Sequence, residues 1–199
     1  DGKRRVGLCV ERVVHCLDGK AVLVLLARID DKVSKHCKYW PSKGREGKAT
    51  LGHMLSNRSG MHHYGKNHNN KVKYTFSSLR YRNKKGRYSG KNSLKCFAKK
   101  VSFKPGTDYR YTTFGFNVAG AVVDEAAPQG YERWILNRIA KPLKMKTLTA
   151  HAKSIGGYKK TKNGELKKTK EGKVTWKLPG GGWASNIGDL PRFMIGLMG

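Results

Sequence analysis

The sequence predicts an α+β chain, and three observations predict it. Asp18-Gly19 and Asn163-Gly164 are turn dipeptides, each flanked by segments suited to paired strands. Residues 113–126 and 131–139 carry apolar side chains at helical spacing. Residues 185–197 do the same after a glycine run, Gly180 to Gly182. A chain of 199 residues is long enough to bury one core, so a single domain over 1–199 is expected.

Taken in order, Val13–Cys16 and Ala21–Leu26 flank the first turn and read as a hairpin, although the same span also reads as one buried helix. Residues 28–49 are polar, contain Pro41 and two glycines, and read as a loop. Thr50 caps a short helix with Leu51, Met54 and Leu55 on one face, and Gly60 is expected to end it. Residues 65–95 are rich in Lys, Asn, Arg and Tyr and show no periodic core face, with 83–92 an exposed loop. Pro105-Gly106 makes a turn and Tyr109–Tyr111 a short extended piece. A helix then begins near Thr113, with Val118, Val122 and Ala126 as its stripe and Ala119 and Val123 beside it.

A second helix, Tyr131–Ile139, buries Trp134, Ile135, Leu136 and Ile139 and stops before Pro142. Asn163-Gly164 and Glu171-Gly172 mark exposed hairpins between Lys-rich segments. Near the end, Ser185 or Asn186 caps a helix that tolerates Pro191 in its first turn. Ile187, Leu190, Phe193, Met194 and Leu197 are expected to be its buried stripe.

Charge narrows the choice of partners. Lys and Arg number 42 against 13 acids, a net charge of +29, which favours contact with polyanions such as nucleic acid, anionic lipid or cell-wall polymer. No zinc-finger, RNP or helix-turn-helix signature accompanies that charge. No run of eighteen apolar residues exists, so no transmembrane helix is expected. Residues 1–20 lack the apolar centre of a signal peptide. Cys9, Cys16, Cys37 and Cys96 form no Cys-x-x-Cys pair, which argues against a zinc ribbon or a redox motif.

Several segments, in this order, resemble serine hydrolases of the class C β-lactamase and penicillin-binding-protein type. They are similar above all to the group holding the mitochondrial serine β-lactamase-like protein and bacterial esterases. The segments are "IDDKVSKHCKYWP", "ATLGHMLSNRSGMHHY", "FKPGTDYRYTTFGFNVAGAVVDEAA" with the "ILNRIAKPLKMKTLTA" that follows it, and "PGGGWASNIGDLPRFM". They cover about residues 29–199 and are collinear. The resemblance implies a β-lactamase/transpeptidase-like architecture, an antiparallel sheet flanked by helices and a mostly helical region, with the active site in the cleft between them. On that reading residues 1–28 are a remnant of the sheet or of the first helix, and the fold is incomplete on its C-terminal side.

The resemblance also implies acyl transfer to water from a small-molecule or peptide amide or ester, without a cofactor. It implies a secreted, periplasmic or cell-envelope setting. Three motifs carry that chemistry. A Ser-x-x-Lys supplies the nucleophile, a Tyr-x-Asn a proton-transfer partner, and a Lys/His-x-Gly strand binds substrate. The second is present in varied form as Tyr111-Thr112-Thr113, so Tyr111 and Thr113 are the candidate catalytic residues, with Thr in place of the amide-bearing Asn. Tyr111 would stand at a helix N-terminus, where the dipole favours negative charge.

The first motif is absent: no Ser-x-x-Lys occurs in the 199 residues. Extending the resemblance without gaps puts Leu8 at the nucleophile and Glu11 at the lysine, and neither does that chemistry. The rival placement sets residues 15–30 on the family's earlier hairpin and leaves out the Ser-x-x-Lys helix altogether. Cys96-Phe97-Ala98-Lys99 falls where the family has a variable helix and reads as coincidence. The third motif would lie beyond Gly199. His62, His63 and His68 sit in a polar stretch, and adjacent histidines seldom reach one ion, so no metal is expected. His53 is expected to bond locally, Ser59 to cap and turn the chain ahead of Gly60, and Gly180–Gly182 to allow close backbone packing.

Overall fold

The computed structural model describes residues 27–63, 88–94, 101–150, 158–168 and 175–198. In chain order its elements are α1 (Val33–His36), α2 (Leu51–Leu55), α3 (Gly90–Leu94), α4 (Thr113–Ala126), α5 (Tyr131–Ile135), β1 (Tyr158–Lys160), β2 (Leu166–Lys168) and α6 (Asp189–Met198). Short 3-10 turns cover Glu46–Lys48 and Thr175–Gly180, and α5 runs on into a π-helical turn, Leu136–Ala140. The hairpin signal at Asp18-Gly19, Leu8, Glu11 and the Cys96-x-x-Lys99 spacing lie outside the described residues.

Helix α4 is the element on which the others rest. Thr112, in extended conformation, caps it by accepting a bond from the Phe114 amide. Phe114, Val118 and Val122 then recur at four-residue spacing and are almost wholly buried. Each such side chain contributes on the order of 1.5–3 kcal/mol through burial. α1, α2, α3, α5 and the Thr175–Gly180 turn all pack on α4. Small residues set the distances. A Cβ on Gly90 would lie 2.6 Å from the Ala121 Cα, and one on Gly120 would lie 2.1 Å from the Pro179 ring. Neither position admits a side chain without moving its neighbour.

Residues 28–49 are not the plain polar loop expected of them. Val33, Cys37 and Trp40 are buried against α4, at i, i+4, i+7 spacing that the intervening lysines hide in the sequence. The Trp40 indole donates to the Glu46 carbonyl, and Asp31 gathers the Arg28 amide, the Lys35 ammonium and His36. Of the stretch 83–92 expected to be an exposed loop, the described residues 88–92 depart from that expectation. Tyr88 is buried and donates to the Asn117 carbonyl, and α3 carries Leu94 into the core. Asp124 joins three helices, with one carboxylate oxygen accepting from the Gly90 amide and the other from the Tyr131 amide.

α5 starts at Tyr131 as expected and buries Trp134, while Ile135, Leu136 and Ile139 are half-buried. β1 and β2 form the antiparallel pair expected around Asn163-Gly164, with Tyr158 opposite Lys168, Lys159 opposite Lys167 and Lys160 opposite Leu166. The turn is not the two-residue type that Asn-Gly suggests. The Gly164 amide donates to Thr161, and only Gly164 takes a positive φ, so it is a type I turn closed by a glycine bulge.

The C-terminal helix corrects a second expectation. Asn186 does cap it, accepting from the Asp189 amide, and Pro191 lies in its first turn. The stripe, however, is only partly covered: Ile187, Leu190 and Met194 are exposed, while Phe193 and Leu197 are half-buried. The buried residues of α6 are Asp189 and Gly196, because the helix approaches Leu143 closely enough that a Cβ on Gly196 would sit 2.4 Å from a Leu143 methyl. Amphipathic spacing identifies a face but not what the face meets.

Candidate active site

Residues 50–63, the segment with Ser59 and three histidines, fold around their own backbone. Thr50 and His53 form a reciprocal cap: the His53 amide donates to the Thr50 hydroxyl and the Thr50 amide to His53 Nδ1. The helix ends at Leu55, ahead of the Gly60 expected to end it, because Asn57 turns the chain at φ +57°. Ser59 is fully buried, and its hydroxyl accepts from the Met61 amide at 3.4 Å. Gly60, at φ +78°, lies against the Phe103 carbonyl, where a Cβ would be 2.6 Å from the oxygen. Ser59 therefore has the turning role expected of it, and its burial withholds the hydroxyl from any substrate.

The opposite wall comes from the Pro105-Gly106 turn. Gly106 takes φ +91°, and the Thr107 amide donates to Lys104, as a type II turn requires. The Arg58 guanidinium and amide-to-carbonyl bonding between Gly106 and Arg58 join this turn to the end of α2. Tyr109–Tyr111 is irregular rather than a strand, because its bonds go to a turn and not to a ladder. The Arg110 amide donates to the Asn57 carbonyl and the Thr112 amide to Asn57 Oδ1. Asn57 thus sets both residues that flank Tyr111.

Tyr111 itself is 59% exposed, immediately ahead of the first residues of α4. Its ring meets His63 edge-on at 5.2 Å. His63 Nδ1 accepts from the Thr113 amide at 3.3 Å, and the Thr112 hydroxyl donates to the His62 carbonyl. Arg110 donates to His62 Nδ1 at 3.0 Å. The other candidate, Thr113, is 3% exposed and packs against Gly180, where a Cβ would fall 2.3 Å from the Thr113 methyl. Gly180 thus provides the close approach expected of the glycine run. The candidate pair is split: the phenol faces solvent, while the threonine side chain is covered.

Residues 21–199 match the family model for Beta-lactamase. The chain belongs to the Beta-lactamase family. It is 29% identical over 107 residues to "Beta-lactamase-like protein 4" of Dictyostelium discoideum, a stretch covering 48% of this chain and 19% of that protein. Among solved structures, it resembles an octameric penicillin-binding protein homologue from Pyrococcus abyssi, with 20% identity and TM-score 0.62, over 96% of this chain and 42% of that one. It also resembles a D-stereospecific amidohydrolase from Streptomyces sp., with 20% identity and TM-score 0.64, over 95% of this chain and 58% of that one.

These likenesses bear out the β-lactamase/transpeptidase-like fold. The chain spans 42% and 58% of the lengths of those two structures. Of the residues that position the Tyr111 segment, Asn57 and Arg110 were not singled out by sequence reasoning, and His63 was weighed only as a metal ligand. The one available signal was Asn57, a residue type that enters the left-handed region readily, placed just after a helix.

No group of three or more His, Cys, Asp or Glu side chains suited to a metal ion occurs among the described residues. No helix among them is long and apolar enough to cross a membrane.

Proposed function

We propose that this chain carries the tyrosine side of an acyl-transfer site for amide or ester compounds, with water as the final acceptor. The placement of Tyr111 supports this reading most: an exposed phenol at the start of a fourteen-residue helix, edge-on to His63. In such a reaction a serine hydroxyl adds to the carbonyl and gives up its proton. The leaving group departs with a proton, and water then adds and releases the acid. Tyr111 is the group proposed to relay those protons, and Thr113, whose side chain is covered, is proposed to hold the start of the helix behind it. Because no Ser-x-x-Lys occurs in these 199 residues, the proposal assigns them binding of the carbonyl compound.

The test combines a fluorophosphonate probe, hydrolysis of a chromogenic cephalosporin and of a short-chain ester, and equilibrium binding of a penicillin. The expected result is no serine labelling, no hydrolysis, and binding weakened about tenfold or more in Tyr111→Ala, roughly the worth of one hydrogen bond to a charged group. A labelled serine would overturn the binding-only assignment. Penicillin binding unchanged in Tyr111→Ala would overturn the role of Tyr111.

A second reading, a non-catalytic basic scaffold for an anionic partner, is favoured by the net charge of +29.

A further inference from the structure

Eleven residues from Tyr158 to Lys168 hold five lysines and one acid. They form the β1–β2 hairpin, and every strand residue is exposed on both faces. An isolated two-stranded ribbon with no covered face is marginal in water. This ribbon also places Lys159 directly opposite Lys167, an arrangement in which like charges repel. Among the described residues none of the five lysines is paired with a carboxylate. On the other face Tyr158 lies opposite Lys168 and Leu166 opposite Lys160, with Tyr158 66% exposed and Leu166 72% exposed. The repelling pair calls for an anion between its members. The exposed aromatic, flanked by cations, calls for a flat π-face.

We propose that this hairpin is a binding ribbon for single-stranded nucleic acid. Lys159 and Lys167 hold the phosphate backbone on one face, while Tyr158 stacks on a base on the other. A phosphodiester chain supplies both the repeated anion and the base, and aromatic side chains beside a basic track are how such strands are held. A sulfated or cell-wall polymer satisfies the lysines but leaves Tyr158 unused. The inference deepens the scaffold reading by naming its surface and partner, and it is independent of the acyl-transfer reading.

Fluorescence anisotropy of a labelled oligothymidylate, titrated with the full chain at several salt concentrations, tests it, with heparin as the base-free polyanion. Lys159→Ala/Lys167→Ala is compared with Lys104→Ala/Lys141→Ala, which removes the same charge elsewhere on the surface. The hairpin variant is expected to lower the salt slope by roughly 1.4, about 0.7 for each lost phosphate contact. The control variant should leave the slope near that of the parent. Tyr158→Ala is expected to weaken oligothymidylate binding roughly fivefold or more and to leave heparin binding unchanged. Circular dichroism checks that each variant keeps its helices. Equal slopes in hairpin and control variants would overturn the hairpin site and leave the scaffold reading standing. No binding of either polyanion by the parent chain would overturn both. Tyr158→Ala without effect on oligothymidylate would overturn nucleic acid as the partner.

Discussion

Asn57 carries more of the candidate site than its position in a turn suggests. It occupies the left-handed region, its carbonyl accepts from Arg110 and its side chain from Thr112. Two substitutions separate these contributions. Asn57→Gly keeps the backbone conformation and loses the side-chain bond, at an expected cost of about 1 kcal/mol. Asn57→Ala adds left-handed strain of roughly 1–2 kcal/mol, so it should be the less stable of the two in urea denaturation. The reverse order would show that conformation is not what Asn57 contributes. At this scale the sequence was informative where a motif carries its own geometry. Thr50, His53 and Ser59 were legible because caps and turns are made by near neighbours. Asn57 was not, because its partners lie more than fifty positions away.

At the scale of elements, one carboxylate joins α4 to two of the short helices around it, α3 and α5. Asp124 accepts from the first amide of α3 and the first amide of α5, two groups that their own helices leave unpaired. Asp124→Ala is expected to cost about 1–2 kcal/mol, near the upper range of a lost helix cap. Asp124→Asn retains an oxygen for one amide only and should fall between. Equal stability of all three proteins by thermal denaturation would remove Asp124 from this role. The helix starts at Thr113 and Tyr131 were legible, the first from a long stripe behind the Thr112 cap, the second from apolar spacing that runs on through the π-helical turn to Ala140. α1 and α3 were not legible. Each is five residues or fewer, too short for a stripe, and lysines surround their few buried groups. The outward face of α6 shows the converse error, in which a clear stripe was assigned a partner that spacing cannot supply.

The whole molecule meets acid with two carboxylates held far from their ordinary behaviour. Asp189 is held down to about 2, chiefly by the Thr147 hydroxyl, with the Thr147 amide, Ser185 and Arg192 adding to it. Asp31 is lowered further still, first by the bond from Lys35 and then by the Arg28 amide and His36. Both folded values lie below the unfolded one. Their contribution is therefore complete above the ordinary carboxylate range near 3.8 and is lost as pH falls towards 2. Protonation there also adds positive charge to a chain already at +29, which opposes the compact state further. Urea midpoints measured from pH 6 to pH 2 should fall mainly below pH 4. Asp189→Asn should flatten that fall while lowering stability at pH 6. A parent chain whose midpoint does not change between pH 4 and pH 2 would contradict the assignment.

The central position of α4 has a consequence for how the molecule opens. A helix bordered by four others and by the Thr175–Gly180 turn has no side from which it can fray alone. The amides around Val118 to Val122 are then released to deuterium only when every neighbouring element lets go together. The β1–β2 hairpin, covered on neither face, exchanges freely throughout. Isotope exchange would thus divide the chain into an interior that keeps its protons until global opening and a basic ribbon that never holds them.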